Sequence, residues 1–184
     1  MKMGDYGLQE VILIMENRKK NRLDSFHYNS GYFFVTINVE KHQKVFGDVV
    51  DEKMVLNKYG KIVEKYWINI NAVYSNVSLG IFVIMPNHLH WILIIDDFDV
   101  GEDIIFPKSY RIRAINNRYN KLANIIKWFK QITNKEIKKS WLQSFKRQKS
   151  FYDHIIRNEK DFDRIVEYIK LNPYKRENDK YYMW

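Results

Sequence analysis

The chain has 184 residues, 46% of them hydrophobic, and a formal net charge of +9, which fits one globular domain with or without short arms. It contains no cysteine, which excludes disulfides and thiolate metal sites. Its apolar runs are too short to span a bilayer and its N-terminal run does not fit a signal peptide. These features predict a cytoplasmic protein with no membrane partner.

The positive charge is concentrated in the second half of the chain. Residues 1–106 contain 11 basic and 14 acidic residues, whereas residues 107–184 contain 20 basic and 8 acidic residues. Such asymmetry favours a polyanionic partner. The alternative is a lysine-rich surface that only keeps the protein in solution.

Three parts follow from the composition: a basic arm over residues 1–25, a domain over residues 26–176 and a tail over residues 177–184. The arm has a basic cluster that could contact phosphates or could simply be disordered. Its four basic residues are Arg18, Lys19, Lys20 and Arg22.

The domain begins with a run of aromatic and β-branched residues after Gly31, which predicts a buried strand. Residues 49–56 then predict a short hairpin around Asp51 and Glu52. Residues 57–71 have apolar positions at helical spacing, and another strand is predicted from Asn76.

The apolar run over residues 81–95 is interrupted by a Pro-Asn turn and by His88 and His90. A strand from His88 to Ile95 would place both imidazoles on one face, because side chains two residues apart share a face. Such a pair can bind a metal ion. Equally, both could be ordinary histidines of the core or the surface.

The next helix is predicted over residues 121–139, with its apolar residues on one stripe and most of its lysines off that stripe. A connector over residues 141–150 then mixes aromatic and basic residues, which suits single-stranded nucleic acid. An ordinary connector with one buried Trp is the alternative. The candidate DNA contacts in these two segments are Lys127, Lys130, Lys146 and Arg147.

The last helix is predicted over residues 161–172, with Asp161 as its N-cap and Pro173 as its stop. Tyr168 and Asn172 are one turn apart on a flank of the apolar stripe. The stripe consists of Phe162, Ile165, Val166 and Ile169.

These polar residues form one site if the helix and the strand meet. His88 and His90 would supply nitrogen ligands and Asn172 an amide oxygen, a set that suits Mg²⁺ or Mn²⁺. Tyr168 would be the nucleophile toward a phosphate. The sequence offers no obvious general base for its proton.

Three blocks of the chain resemble the HUH single-tyrosine transposases, specifically the REP-associated tyrosine transposases. They are MPNHLHWILI, GYFFVTINVEKHQKVFG and FYDHIIRNEKDFDRIVEYIKLNP, and they occur in the order seen in that family. The resemblance implies an α+β, ferredoxin-like fold with a central antiparallel sheet. It matches His88 and His90 to the family's metal-binding pair, Tyr168 to its nucleophile and Asn172 to its third metal ligand.

The resemblance also implies a function: cleavage and rejoining of single-stranded DNA through a 5′-phosphotyrosine, at hairpin sites and without ATP. Tyr152 and His154 precede the last helix and are interpreted as structural or as DNA contacts. The chain departs from the family pattern at Phe145 to Gln148, where members of the family often have Trp-Gln-Arg. Action at the bacterial nucleoid is expected, and both monomers and homodimers occur in the family.

Three other functions are compatible with the same residues. The first is a hairpin-binding regulator without catalytic activity. The second is another relative within the HUH group, a replication initiator or relaxase, although the short chain argues against it. The third is a metal-dependent nuclease with water as nucleophile, in which case Tyr168→Phe would still cut.

Overall fold

The computed structural model describes residues 30–96 and 121–175. A four-stranded antiparallel sheet in the order β4-β5-β1-β6 lies at its centre, beside a two-stranded hairpin of β2 and β3. The strands are β1 (Gly31–Asn38), β2 (Gly47–Val50), β3 (Lys53–Leu56), β4 (Val77–Ile84), β5 (His88–Ile95) and β6 (Tyr152–Ile156). The helices in these ranges are α1 (Lys58–Ile68), α2 (Ile70–Val73), α3 (Lys121–Lys139) and α4 (Glu159–Leu171).

The four central strands and the helices between them have the ferredoxin-like connectivity. Helix α1 links β1 to β4, a tight turn links β4 to β5, and α3 precedes β6. The last strand, β6, pairs with β1 at the far edge from β4. The predicted α+β fold with a central antiparallel sheet is therefore confirmed.

One face of the sheet forms the larger hydrophobic core with α1 and α3. Strand β5 contributes every second residue to this face, including Leu89 and Trp91. The Trp91 ring stacks on Trp67 of α1 at 4.3 Å between centroids and meets Phe129 of α3 edge-on at 4.8 Å. The core therefore fixes β5, which carries the paired histidines, by packing on the opposite side of the strand.

Helix α4 covers the other face of the sheet, where it packs on a smaller apolar cluster. Its N-cap is Asn158, whose side chain accepts a hydrogen bond from the Asp161 backbone N–H. The predicted cap at Asp161 is wrong, because Asn158 ends the extended chain and caps the helix three residues earlier. Tyr168 lies within the buried face rather than at its edge.

Several of the remaining elements match the sequence predictions, and one strand is not predicted. The hairpin turns at Asp51 and Glu52, both with positive φ, and β5 and α3 have the predicted bounds. Strand β6 is not predicted, because its five residues include Asp153 and His154 and show no alternation of apolar and polar side chains. No helix in the described ranges is long and apolar enough to cross a membrane.

Candidate active site

The polar residues of the site lie at one end of the sheet, on the face covered by α4. In the β1–β5 register, Asn38 is opposite His88 and Thr36 is opposite His90. Thr36 is also opposite Tyr152 of β6. Because these positions alternate with the core residues, the same strands present polar groups to one face and apolar groups to the other.

The ring of His88 has its orientation set by Asn87. The Asn87 amide nitrogen donates to the His42 carbonyl oxygen at 3.3 Å, so the amide oxygen is the atom at 2.6 Å from His88 Nδ1. An amide oxygen can only accept, so His88 Nδ1 carries the proton. In the neutral ring, Nε2 therefore carries the lone pair that a metal ion would bind.

His90 connects β1 to α4. Its Nδ1 lies 2.8 Å from the Thr36 hydroxyl oxygen, and its Nε2 lies 3.2 Å from the Tyr168 hydroxyl oxygen. The His88 and His90 rings are 4.6 Å apart between centroids. The structure therefore brings the predicted histidine pair and the predicted nucleophile together.

The direction of α4 also carries Asn172 toward the histidine pair. Phe162 packs against Tyr32, and Tyr168 packs against Phe34 and His90. The helix thus advances along β1 toward Asn38, and Asn172 follows Tyr168 by one further turn of about 5.4 Å.

Two buried amides near this end have polar atoms without a hydrogen-bond partner among the described residues. Asn172 is 3% exposed, and neither its amide oxygen nor its amide nitrogen is bonded. Asn38 donates from its amide nitrogen to Gln148 at 3.3 Å, but its amide oxygen is not bonded. A buried polar atom without a partner costs about 1–3 kcal/mol, so a ligand that bonded to either oxygen would recover this cost.

The residues of the site suit a divalent cation. Two imidazole nitrogens and amide oxygens, with no thiolate, are compatible with Mg²⁺ or Mn²⁺ that retains water and phosphate ligands. The described ranges contain no cluster of three His, Cys, Asp or Glu side chains of the kind that holds a metal by itself. A metal here would therefore depend on the amide of Asn172 beside His88 and His90.

The start of α4 is attached to β6 by a charged cluster. Asp161 accepts from His154 Nε2 at 2.7 Å and from the Arg164 guanidinium. Burial acts to raise the pKa of Asp161, but the hydrogen bonds and charges of His154 and Arg164 outweigh it and hold the pKa below its usual value. His154 therefore helps to attach α4, the helix that carries Tyr168, to the sheet.

The predicted DNA contacts differ in their surroundings. Lys127 and Lys146 are exposed. Lys130 donates to the carbonyl oxygens of Gln148, Lys149 and Ser150. Burial and the charge of Arg147 lower the pKa of Lys130 to about 8. The arm residues Arg18, Lys19, Lys20 and Arg22 lie outside the described residues.

Arg147 is buried rather than open to solvent. Its guanidinium lies 5.3–5.5 Å from the ring centroids of Phe46, Phe129 and Phe145. Burial lowers its pKa to about 9. In this conformation Arg147 joins the connector to the core through cation–π contacts, and a phosphate cannot reach it.

Three residues of the site are not singled out by the sequence pattern: Thr36, Asn38 and Asn87. The signal for Thr36 and Asn38 is two polar residues at alternate positions in an otherwise apolar strand. The sequence identifies Asn87 only as a turn residue. Its contact with His88 depends on the position of the His42 carbonyl, which orients the Asn87 amide.

No protein-family model matches the chain. It is 33% identical over 181 residues to a protein of Haemophilus influenzae described only as uncharacterized, with 92% of this chain and 95% of that protein covered. The chain belongs to the same family as this Haemophilus protein.

Two solved structures share part of the fold. One, a REP-associated tyrosine transposase bound to a REP hairpin, is 20% identical with a TM-score of 0.49, covering 88% of this chain and 77% of its own. The other, a candidate transposase from Deinococcus radiodurans R1, is 11% identical with a TM-score of 0.47, covering 83% and 96%. Similarity at this level does not support an assignment of function.

Proposed function

We propose that the protein is a metal-dependent single-stranded DNA endonuclease and transposase that cleaves and rejoins DNA through a 5′-phosphotyrosine. The contact between Tyr168 and His90 carries the proposal: a buried phenol lies 3.2 Å from an imidazole nitrogen, beside a second imidazole. A tyrosine that only packs in the core would not need two histidines and an amide without a hydrogen bond at the same end of the sheet. The resemblance of three sequence blocks to HUH transposases supports the same chemistry.

The cleavage step is an exchange of one phosphodiester for another. The Tyr168 oxygen attacks the scissile phosphorus, and the bond from phosphorus to the 3′ oxygen breaks. The phenol loses its proton and the 3′ oxygen gains one, which leaves a free 3′-OH and a 5′-phosphotyrosine. Because one ester replaces another, the reverse step rejoins DNA without ATP.

His88, His90 and Asn172 would hold Mg²⁺ or Mn²⁺. When bound, the ion would supply Lewis-acid stabilisation of the charge on the phosphate and orient it. Without the ion, His90 Nε2 is placed to accept the Tyr168 proton, a base that the sequence alone does not reveal. One nitrogen cannot both accept this proton and bind the ion, so His90 acts as a ligand and not as the base when the ion is bound.

Both histidines are fully buried. A DNA phosphate can therefore reach them only if part of the chain that covers them moves. The charged cluster of His154, Asp161 and Arg164 holds the start of α4, so opening at the end that carries Asn172 would disturb the fewest of these contacts.

A covalent-adduct assay tests the proposal. A hairpin DNA with a single-stranded flank, labelled on the 3′ side of the cut, is incubated with Mn²⁺ and then denatured. We expect a labelled protein band that is lost in Tyr168→Phe and in His88→Ala. Tyr152→Phe is the matched control, since Tyr152 lies on the same face of the sheet and should retain the band.

The other outcomes select the alternatives. Cutting without an adduct that survives in Tyr168→Phe would indicate a water nucleophile. Tight binding with neither cutting nor adduct, over several hairpins, would indicate the non-catalytic hairpin-binding regulator.

Hairpin recognition is proposed to involve the basic arm. Replacing Arg18, Lys19, Lys20 and Arg22 together should weaken hairpin binding and reduce its salt dependence, because each phosphate contact releases counterions. Unchanged binding would remove the arm from the proposal.

A further inference from the structure

Trp141, two residues after the end of α3, has an exposed side chain and an unusual backbone. It is 89% exposed, the highest value among the large hydrophobic residues that the structure describes as exposed. Its φ is +77°, in the region that favours glycine. A tryptophan here gains little from burial and bears backbone strain, so packing does not explain its presence.

The chain around Trp141 is basic. Residues 121–151 include nine Lys or Arg and one acid, Glu136, and residues 137–152 include no acid. Lys139 pairs with Glu136 at 3.0 Å, while Lys146 and Lys149 are exposed. An exposed aromatic ring among lysines matches the chemistry of a single strand, whose bases stack and whose phosphates pair with cations.

Trp141 also lies at the end of the sheet that holds the candidate active site. The preceding residue, Ser140, accepts at its carbonyl oxygen from the Tyr59 hydroxyl, near the start of α1. The same connector then joins the end of β1, where the Gln148 backbone N–H donates to the Asn38 carbonyl oxygen at 3.1 Å. Asn38 is the residue opposite His88.

We propose that Trp141 is a stacking platform for a nucleobase of single-stranded DNA, outside the site where the chain is cut. The proposal rests on the proposed function for its ligand, but it concerns binding and requires no step at Tyr168. Lys146 and Lys149, later in the same connector, would contact the neighbouring phosphates.

The test is an anisotropy titration of fluorescein-labelled dT12 at low salt. We expect Trp141→Ala to weaken binding about 5- to 100-fold, the range for loss of one stacked base, and Trp141→Phe to retain part of the affinity. Two further probes separate base stacking from charge: a 12-residue abasic strand and a blunt 12-base-pair duplex. Neither offers an unstacked base, so each should bind the wild type and Trp141→Ala with the same affinity. Ile68→Ala, another exposed apolar residue, is the control and should bind dT12 normally.

Trp141→Gly distinguishes a binding role from a structural one. Because glycine accepts a positive φ without strain, this variant should unfold at a higher urea concentration than the wild type while binding dT12 as weakly as Trp141→Ala. Unchanged dT12 binding in Trp141→Ala, or an equal loss on the abasic strand, would overturn the proposal. Loss of dT12 binding in Trp141→Ala with no adduct at Tyr168 in any assay would retain this site and reject the catalytic proposal alone.

Discussion

The two faces of the central sheet differ in what they bury, although the same strands supply both. On the face covered by α1 and α3, β5 presents Leu89 and Trp91 to a continuous apolar core. On the face covered by α4, the same strand presents His88 and His90, both fully buried. Because strand side chains alternate, one strand can stabilise the fold on one side and hold reactive groups on the other. Substitutions at neighbouring residues should therefore affect different properties.

The polar face requires support that the apolar face does not. A buried imidazole has to be hydrogen-bonded, since an unbonded polar group is costly to bury. Thr36 and Asn87 provide those bonds for His90 and His88. The amide of Asn172 has no such bond among the described residues. Thr36 and Asn87 are therefore supporting residues, whereas Asn172 is a candidate metal ligand.

The largest effect is expected at His90. His90→Gln keeps a polar side chain beside Thr36 but removes an imidazole nitrogen that would bind the metal ion, so adduct formation with Mn²⁺ should slow by roughly 10²-fold or more. A bound ion contributes several kcal/mol to such a step, and each 1.4 kcal/mol is about a factor of ten in rate. The free energy of unfolding should fall by about 1–3 kcal/mol, because the buried hydroxyls of Thr36 and Tyr168 lose a hydrogen-bond partner. Adduct kinetics and urea unfolding on the same sample measure both. A large loss of stability with little effect on the adduct would reverse the roles given to the two faces.

The adjacent residue, Trp91, should behave in the opposite way. Trp91→Ala removes a ring that packs between Trp67 and Phe129, and truncation of a buried aromatic residue costs about 3–5 kcal/mol of unfolding free energy. Urea unfolding monitored by circular dichroism measures this loss. The protein that remains folded should still form the adduct at a rate near that of the wild type. A specific loss of activity in fully folded Trp91→Ala would contradict the separation.

Asp161 tests whether α4 is held on the polar face by charge. Its pKa is lowered in the folded protein, so its stabilising contribution is complete above the unfolded pKa of about 3.9. That contribution is lost as pH falls through the lower folded pKa. Asp161→Asn should cost about 1.5–3 kcal/mol at pH 7 and weaken the fall in stability below about pH 4. An unaltered acid limb in urea unfolding at several pH values would exclude this attachment.

The smallest effect is expected at Asn87. Asn87→Ala removes the acceptor that sets the proton on His88 Nδ1, and loss of such an outer contact typically weakens metal binding about 10- to 100-fold. Titration with Mn²⁺, followed by electron paramagnetic resonance of the free ion, measures the change. Equal Mn²⁺ affinity in the variant would show that Asn87 does not orient a metal ligand.

Local patterns predict the parts of the molecule that depend on one segment. Alternation predicts β5 with its histidine pair, and helical spacing places Tyr168 and Asn172 one turn apart. The burial of Tyr168 and the environment of Arg147 depend on which segments meet, which no local pattern contains. The guanidinium of Arg147 is enclosed by phenyl rings from residues 46, 129 and 145. The sequence shows only that Arg147 is basic, and this is why it predicts a DNA contact there.

Strand β6 shows the same limit in another form. Its five residues begin at Tyr152 and include His154, whose partner is brought by another element. His154 bonds to Asp161 of α4, and Tyr152 lies opposite Thr36 of β1. Pairing along an edge of the sheet, rather than alternation within the segment, makes these residues a strand.

Peptide mapping of the adduct tests the central claim, that Tyr168 is the nucleophile. The sheet brings a second tyrosine, Tyr152, to the same face, so the two are the alternatives to separate. Trypsin should release Tyr168 in peptide 165–170 and Tyr152 in peptide 150–157. After nuclease trimming of the adduct, mass spectrometry should find the 5′-linked nucleotide on peptide 165–170. A nucleotide on peptide 150–157, with peptide 165–170 unmodified, would contradict the account.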